Sequence, residues 1–141
     1  MYRLETNASF DSAHFLKGYQ GKCSNIHGHR WKVEAAVAGE RLSEEEQTRG
    51  MLVDFGNLKA DLKALTDYYD HCLIIERNSL KDKTMEALVE EGFRIIQLDF
   101  RPTAENLSRM FYNEMEKKGY DVYEVRVYET PNNMAIYSKP E

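Results

Sequence analysis

Apolar and polar residues alternate along the first stretch of the chain, at residues 2–15. Tyr2, Leu4, Thr6, Ala8 and Phe10 share one parity, which predicts a half-buried strand. A glycine-punctuated loop follows at residues 17–23. Alternation resumes at residues 27–38, with Trp31, Val33, Ala35 and Val37 on one face, so the two segments read as a long antiparallel pair. Residues 39–49 are polar and predict a loop. From Asp54 the period lengthens. Phe55, Leu58, Leu62 and Leu65 recur at helical spacing behind Asp54 as N-cap, in a helix ending near Tyr68. Residues 83–91 suggest a short helix stopped by Gly92, and residues 93–98 a short strand. A second clear helix spans residues 104–118, capped near Thr103, with Leu107, Met110, Phe111 and Met115 on its apolar face and Gly119 as its stop. Residues 122–128 and 134–137 close the pattern as two strands around the turn Pro131-Asn132-Asn133. Leaving aside the two short elements, the order is strand, strand, helix, helix, strand, strand. That order predicts an α+β domain with helices on one face of an antiparallel sheet.

With 141 residues and no repeat, low-complexity tract or Pro/Gly-rich linker, the expectation is one domain over residues 1–141. The net charge of −5, without a long basic stretch, argues against a nucleic-acid partner. No apolar run reaches the roughly 20 residues of a membrane-spanning helix, and residues 1–5 have no signal-peptide core. The expectation is a cytoplasmic protein whose two cysteines, Cys23 and Cys72, stay reduced.

Four places carry candidate chemistry. In His27-Gly28-His29 the imidazoles are two residues apart, so on a strand they share a face, and His14 near the end of the preceding strand can lie alongside them. Three neutral imidazoles leave a tetrahedral metal one open position, the pattern of catalytic zinc. The plainer alternative is a core histidine and a chance surface pair. Cys23 precedes His27 by four residues. It can be a fourth ligand closing the site, a thiolate acid/base beside the metal, or an inert buried thiol. Asp70-His71 can form a proton relay only in a turn or at a helix end, since neighbours on a strand face opposite ways. A solvated turn is the alternative. Glu129, at the end of a strand rich in Val and Tyr, can accept two parallel hydrogen bonds from an amidine-like ring edge such as that of a pterin or guanine. An exposed cross-strand ion pair is the commoner use of such a residue.

Six segments carry a resemblance across nearly the whole chain. They are Phe10-Asp11-Ser12-Ala13-His14, Cys23-Ser24-Asn25-Ile26-His27-Gly28-His29, Gly50-Met51-Leu52-Val53-Asp54-Phe55, Asp70-His71, Pro102-Thr103-Ala104-Glu105-Asn106 and Tyr128-Glu129-Thr130. In this order and spacing they resemble the 6-pyruvoyl-tetrahydropterin synthase superfamily, and within it the bacterial 6-carboxy-5,6,7,8-tetrahydropterin synthases. The three residues between Cys23 and His27 look like the carboxy branch; the pyruvoyl branch tends to a longer gap, and a third branch carries Glu in place of the Cys. The resemblance implies a tunnelling fold: a four-stranded antiparallel sheet, two helices on one face, and subunits joined into a barrel, usually a hexamer made of two trimers. It implies Zn2+ held by His14, His27 and His29, with Cys23 as proton acceptor and Asp70 and His71 as its partner relay. It further implies that Glu129 anchors the pterin and that Thr103 and the main chain at Ala104 line the same pocket. The implied reaction is a lyase step from 7,8-dihydroneopterin triphosphate to 6-carboxytetrahydropterin, acetaldehyde and triphosphate, in the synthesis of 7-deazaguanines such as queuosine. A pyruvoyl-forming synthase and a non-catalytic zinc-stabilised binding module are the rival readings.

Overall fold

The computed structural model describes residues 1–140. Strand β1 (Tyr2–His14) pairs antiparallel with β2 (His27–Gly39) over its whole length, from Tyr2 opposite Gly39 to His14 opposite His27. Their alternation decides their faces. Ala8, Phe10, Ser12 and His14 are buried, as are Trp31, Val33, Ala35 and Val37, while Arg3, Glu5 and Asn7 point to the exposed face. Helix α1 (Phe55–Tyr68) starts where expected, the Asp54 carboxylate accepting from the N–H groups of Gly56 and Asn57. Leu58 and Leu62 seat it against β1, but Phe55 stays 60% exposed and is not part of the apolar stripe.

Three short elements follow: β3 (Leu73–Glu76), α2 (Asp82–Glu90) and β4 (Ile95–Leu98). Helix α3 (Ala104–Lys117) is capped by Thr103, whose hydroxyl accepts from Asn106 N–H, and it buries Leu107, Phe111 and Met115 against β5 (Val122–Thr130) and β6 (Asn133–Ser138). Phe10, Trp31, Leu58, Leu62, Phe111, Val125 and Val127 belong to one core between the long strands and helices α1 and α3. The Phe10 and Trp31 rings stack with centroids 6.0 Å apart.

The sheet differs from the four-stranded antiparallel expectation. It has six strands in the order β4-β3-β1-β2-β5-β6. Strands β1, β2, β5 and β6 do form a continuous antiparallel block, but β3 and β4 extend it in parallel at the β1 end. The Leu73-Ile74-Ile75 run is the reason. It is a short buried strand too brief to show a period. The described residues likewise form three α-helices rather than two, because α2 is a real helix, although it buries no residue. Among the described residues no helix is long and apolar enough to cross a membrane.

Candidate metal centre and pocket

Register brings the histidines together. His14 is opposite His27, and Ser12 is opposite His29, so all three rings emerge on the core face at one end of the β1–β2 pair. Ring centroids lie 4.5 Å apart for His14 and His27, 4.8 Å for His27 and His29, and 5.1 Å for His14 and His29. Trp31 closes the inner side, edge-on to His14 at 4.9 Å and to His29 at 5.2 Å. Two rings are oriented by main-chain carbonyls: His14 Nδ1 lies 2.7 Å from Pro102 O, and His27 Nδ1 lies 2.6 Å from Asn25 O. A carbonyl only accepts, so each Nδ1 carries the proton and each Nε2 is left with a free lone pair.

The Nε2 atoms of His14, His27 and His29 are buried and lack any hydrogen-bond partner. Two bare imidazole acceptors, with a third ring nitrogen beside them, converging in a buried place are costly unless something electropositive satisfies them. Burial is also the main reason that the His14 pKa falls from 6.5 to about 4. The Pro102 carbonyl opposes that fall, while His27 and His29 add to it. His29 is lowered too, chiefly by burial, with Glu129 pulling the other way. Both rings are therefore held in the neutral form that a metal requires. One ligand atom from each of His14, His27, His29 and Glu129 lies within 4.8 Å of all the others, so this group fits a divalent ion. Glu129 Oε1 is 3.0 Å from His29 Nε2. Cys23 is not in the group. It is half-buried on the 3-10 turn Lys22–Ser24, a free thiol.

Glu129 continues the parity of the buried Val125 and Val127, so it projects from the same face of β5. The β2–β5 pairing ends at Lys32 opposite Tyr128, and the β5–β6 register shifts between Tyr128 and Thr130. Beyond that point a cavity of about 450 Å³ opens, lined by Gly28, His29, Arg30, Lys32, Tyr128 and Glu129 among others. Gly28 contributes to its width: a Cβ there would meet only Ser12 O, at 3.8 Å.

Asp70 and His71 form the dyad that their sequence allowed. They follow the end of α1 in a turn, with His71 at φ 56°, and His71 Nδ1 is 2.9 Å from Asp70 Oδ2. The pair is stapled to β1, since Asp70 Oδ1 accepts from Asp11 N–H at 2.8 Å and His71 N–H donates to Asp11 O at 2.6 Å. The first of these bonds is the main reason that the Asp70 pKa lies below its usual value. His71 and His29 both line a shallow depression around Gly28, so the dyad and the histidine cluster border the same place. Thr103 and Ala104 play a supporting part in this chain. The Thr103 hydroxyl caps α3 and Ala104 is buried, while the preceding carbonyl, of Pro102, holds His14. Sequence reasoning missed that carbonyl, together with the Asp11 staple. Both act through main-chain atoms, which leave no mark on residue type.

An α+β chain with three bare imidazole nitrogens and a carboxylate at the mouth of a cavity has the arrangement of a metal-dependent enzyme for small molecules. The family is known as well: the model described as 6-pyruvoyl tetrahydropterin synthase matches residues 3–140, and the chain belongs to that family. Among similar proteins, the 6-carboxy-5,6,7,8-tetrahydropterin synthase of Rickettsia felis is 34% identical, over 94% of this chain and 96% of its own. The protein of the same name from Haemophilus influenzae is 29% identical over 99% and 100%. In fold, the chain resembles the 6-pyruvoyl tetrahydropterin synthase of Caenorhabditis elegans, with a TM-score of 0.69 at 23% identity over 99% of this chain and 96% of the other. The crystal structure of the Plasmodium vivax synthase of that name gives 0.68 at 19% identity over 99% of each chain.

Proposed function

We propose that this chain is a zinc-dependent lyase that converts 7,8-dihydroneopterin triphosphate to 6-carboxy-5,6,7,8-tetrahydropterin, acetaldehyde and triphosphate, a step towards 7-deazaguanines such as queuosine. The observation that carries this reading is the convergence of three unpaired, buried Nε2 atoms beside Glu129, in a chain whose similar curated relatives are named for that synthase. Zinc suits an all-imidazole site with one place open. When bound, it would polarise the oxygens of the substrate side chain.

The protein groups divide the remaining work. Glu129 faces the 450 Å³ cavity and accepts paired N–H donors from the pterin edge, which fixes the ring. Cys23 serves as a base for one side-chain proton. His71, oriented through Nδ1 by Asp70, presents Nε2 for another. Thr103 and Ala104 shape the neighbouring wall through the α3 N-terminus. The chain acts as one pterin-binding domain over residues 1–141, in the cytoplasm, where the two free thiols stay reduced.

Its working form is an oligomeric barrel, a hexamer of two trimers. Strand β3 covers β1 only at Ala13 and His14, and β6 pairs only with β5, so one sheet offers two open edges. Unlike edges on one subunit favour a head-to-tail ring.

The test is incubation of metal-analysed protein with dihydroneopterin triphosphate and identification of the products by mass. Acetaldehyde with the carboxypterin supports the reading; a pyruvoyl product moves the chain to the other branch. Cys23→Ala is expected to abolish turnover with zinc retained at one ion per subunit. Loss of that metal would make Cys23 a ligand instead.

A further inference from the structure

The Asp70–His71 dyad sits in a turn that β1 alone does not hold. The turn leaves α1 at its C-terminus, where helix carbonyls lack intrahelical partners. It then passes through a left-handed residue, His71, at φ 56°, a conformation that a non-glycine side chain disfavours. Main-chain bonds to Asp11 fix its inner side. On the outer side the guanidinium of Arg94 donates to two carbonyls of this turn, Asp70 O through Nη1 at 3.1 Å and Tyr68 O through Nη2. It also lies over the Tyr68 ring, 5.1 Å from the centroid.

Arg94 comes from a different part of the chain. It precedes β4, and its own carbonyl accepts from Leu73 N–H, so the parallel β3–β4 pairing delivers the side chain to the turn. A planar fork of donors suits two neighbouring carbonyls in a way that a point charge does not. A cation at a helix C-terminus is also favoured by the helix dipole.

We infer that Arg94 is a positioning residue for the Asp70–His71 relay: by binding the carbonyls of Tyr68 and Asp70 it fixes the turn in which the carboxylate meets the imidazole. The inference rests on the proposed role of that dyad. It also gives β3 and β4 a purpose besides their packing, since they carry the clamp to its place.

The test uses the zinc-loaded protein. Arg94→Met is expected to lower kcat about tenfold with KM and zinc content little changed, since the side-chain partners of Arg94 are Tyr68 and Asp70 rather than Glu129 or the His14-His27-His29 cluster. Arg94→Lys, which can serve only one carbonyl at a time, should recover part of the loss. In an Asp70→Asn background, Arg94→Met should cost less than threefold more, because the bond it protects is already gone. Hydrogen exchange at the His71 amide should quicken at least tenfold in Arg94→Met. That reading needs no turnover, and it can be made on Arg94→Lys if the Met variant does not fold. A kcat within twofold of the parent, full additivity with Asp70→Asn, or unchanged exchange at His71 would overturn the inference. Parent protein inactive towards the pterin, with exchange at His71 quickened by the substitution, would instead count against the proposed reaction and leave the clamp standing.

Discussion

Glu129 is the residue whose two uses are closest in space. Its carboxylate lies near enough to the three imidazoles to be a fourth ligand, yet it also lines the cavity where a ring would sit. The uses separate on substitution. Glu129→Gln keeps the size and loses the anion, so as a ring anchor it should retain stoichiometric zinc while KM for the pterin rises or kcat/KM falls by two orders of magnitude or more. Loss of metal would make Glu129 a ligand. Asp70 has a second, pH-dependent signature. Its folded pKa lies below the ordinary 3.8, first through the Asp11 N–H bond. The unfolded chain therefore binds the proton more readily, and the stabilisation is present above about pH 4 and lost as pH falls through the depressed value. Asp70→Asn should flatten the acid limb of a Tm against pH curve below pH 4, while costing only ~0.5 kcal/mol at neutral pH for so exposed a group. At this scale the sequence was informative wherever side chains carry the chemistry. His27-Gly28-His29 on one strand face, with His14 on its neighbour, follows from period two alone. The carbonyls of Pro102 and Asn25 that orient two of those rings could not be read, because any residue supplies one.

Elements with a strong period were legible to within a residue or so: β1, β2, α1 and α3 start and stop where caps and alternation place them. Strand β3 was not, since Leu73-Ile74-Ile75 is an apolar run without a period, and its parallel pairing depends on a partner far along the chain. Nor was the register shift between Tyr128 and Thr130, which no residue type marks. The start of α3 links element to site. Its cap, Thr103, follows directly on the carbonyl that holds His14. Thr103→Ala should cost about 1 kcal/mol of stability. It should also weaken zinc severalfold in competition with a chromogenic chelator, because the support of a ligating ring is loosened. Unchanged affinity would mean that the neighbouring bond from Asn106 Nδ2 to Arg101 O holds the segment unaided.

For the molecule as a whole, the question is whether the metal holds the fold or only the reaction. Phe10, Trp31, Leu58, Leu62, Leu107, Phe111 and Met115 are each at most 1% exposed, so the core between sheet and helices is built from apolar side chains rather than from the histidine cluster. Phe111→Ala should therefore cost roughly 3–5 kcal/mol, at least two orders of magnitude in the folding constant. Removing zinc subtracts only the linkage free energy of binding to the native state. The chain's single tryptophan makes the distinction measurable, because Trp31 stands edge-on to both His14 and His29. Chelation is expected to abolish turnover, shift Trp31 emission and lower Tm, with the far-UV circular dichroism unchanged at 25 °C. Readded zinc should restore all three. A zinc-stabilised binding module would respond differently, its far-UV signal collapsing with the metal. That collapse would remove the basis for treating the three histidines as a site with a coordination place kept for substrate.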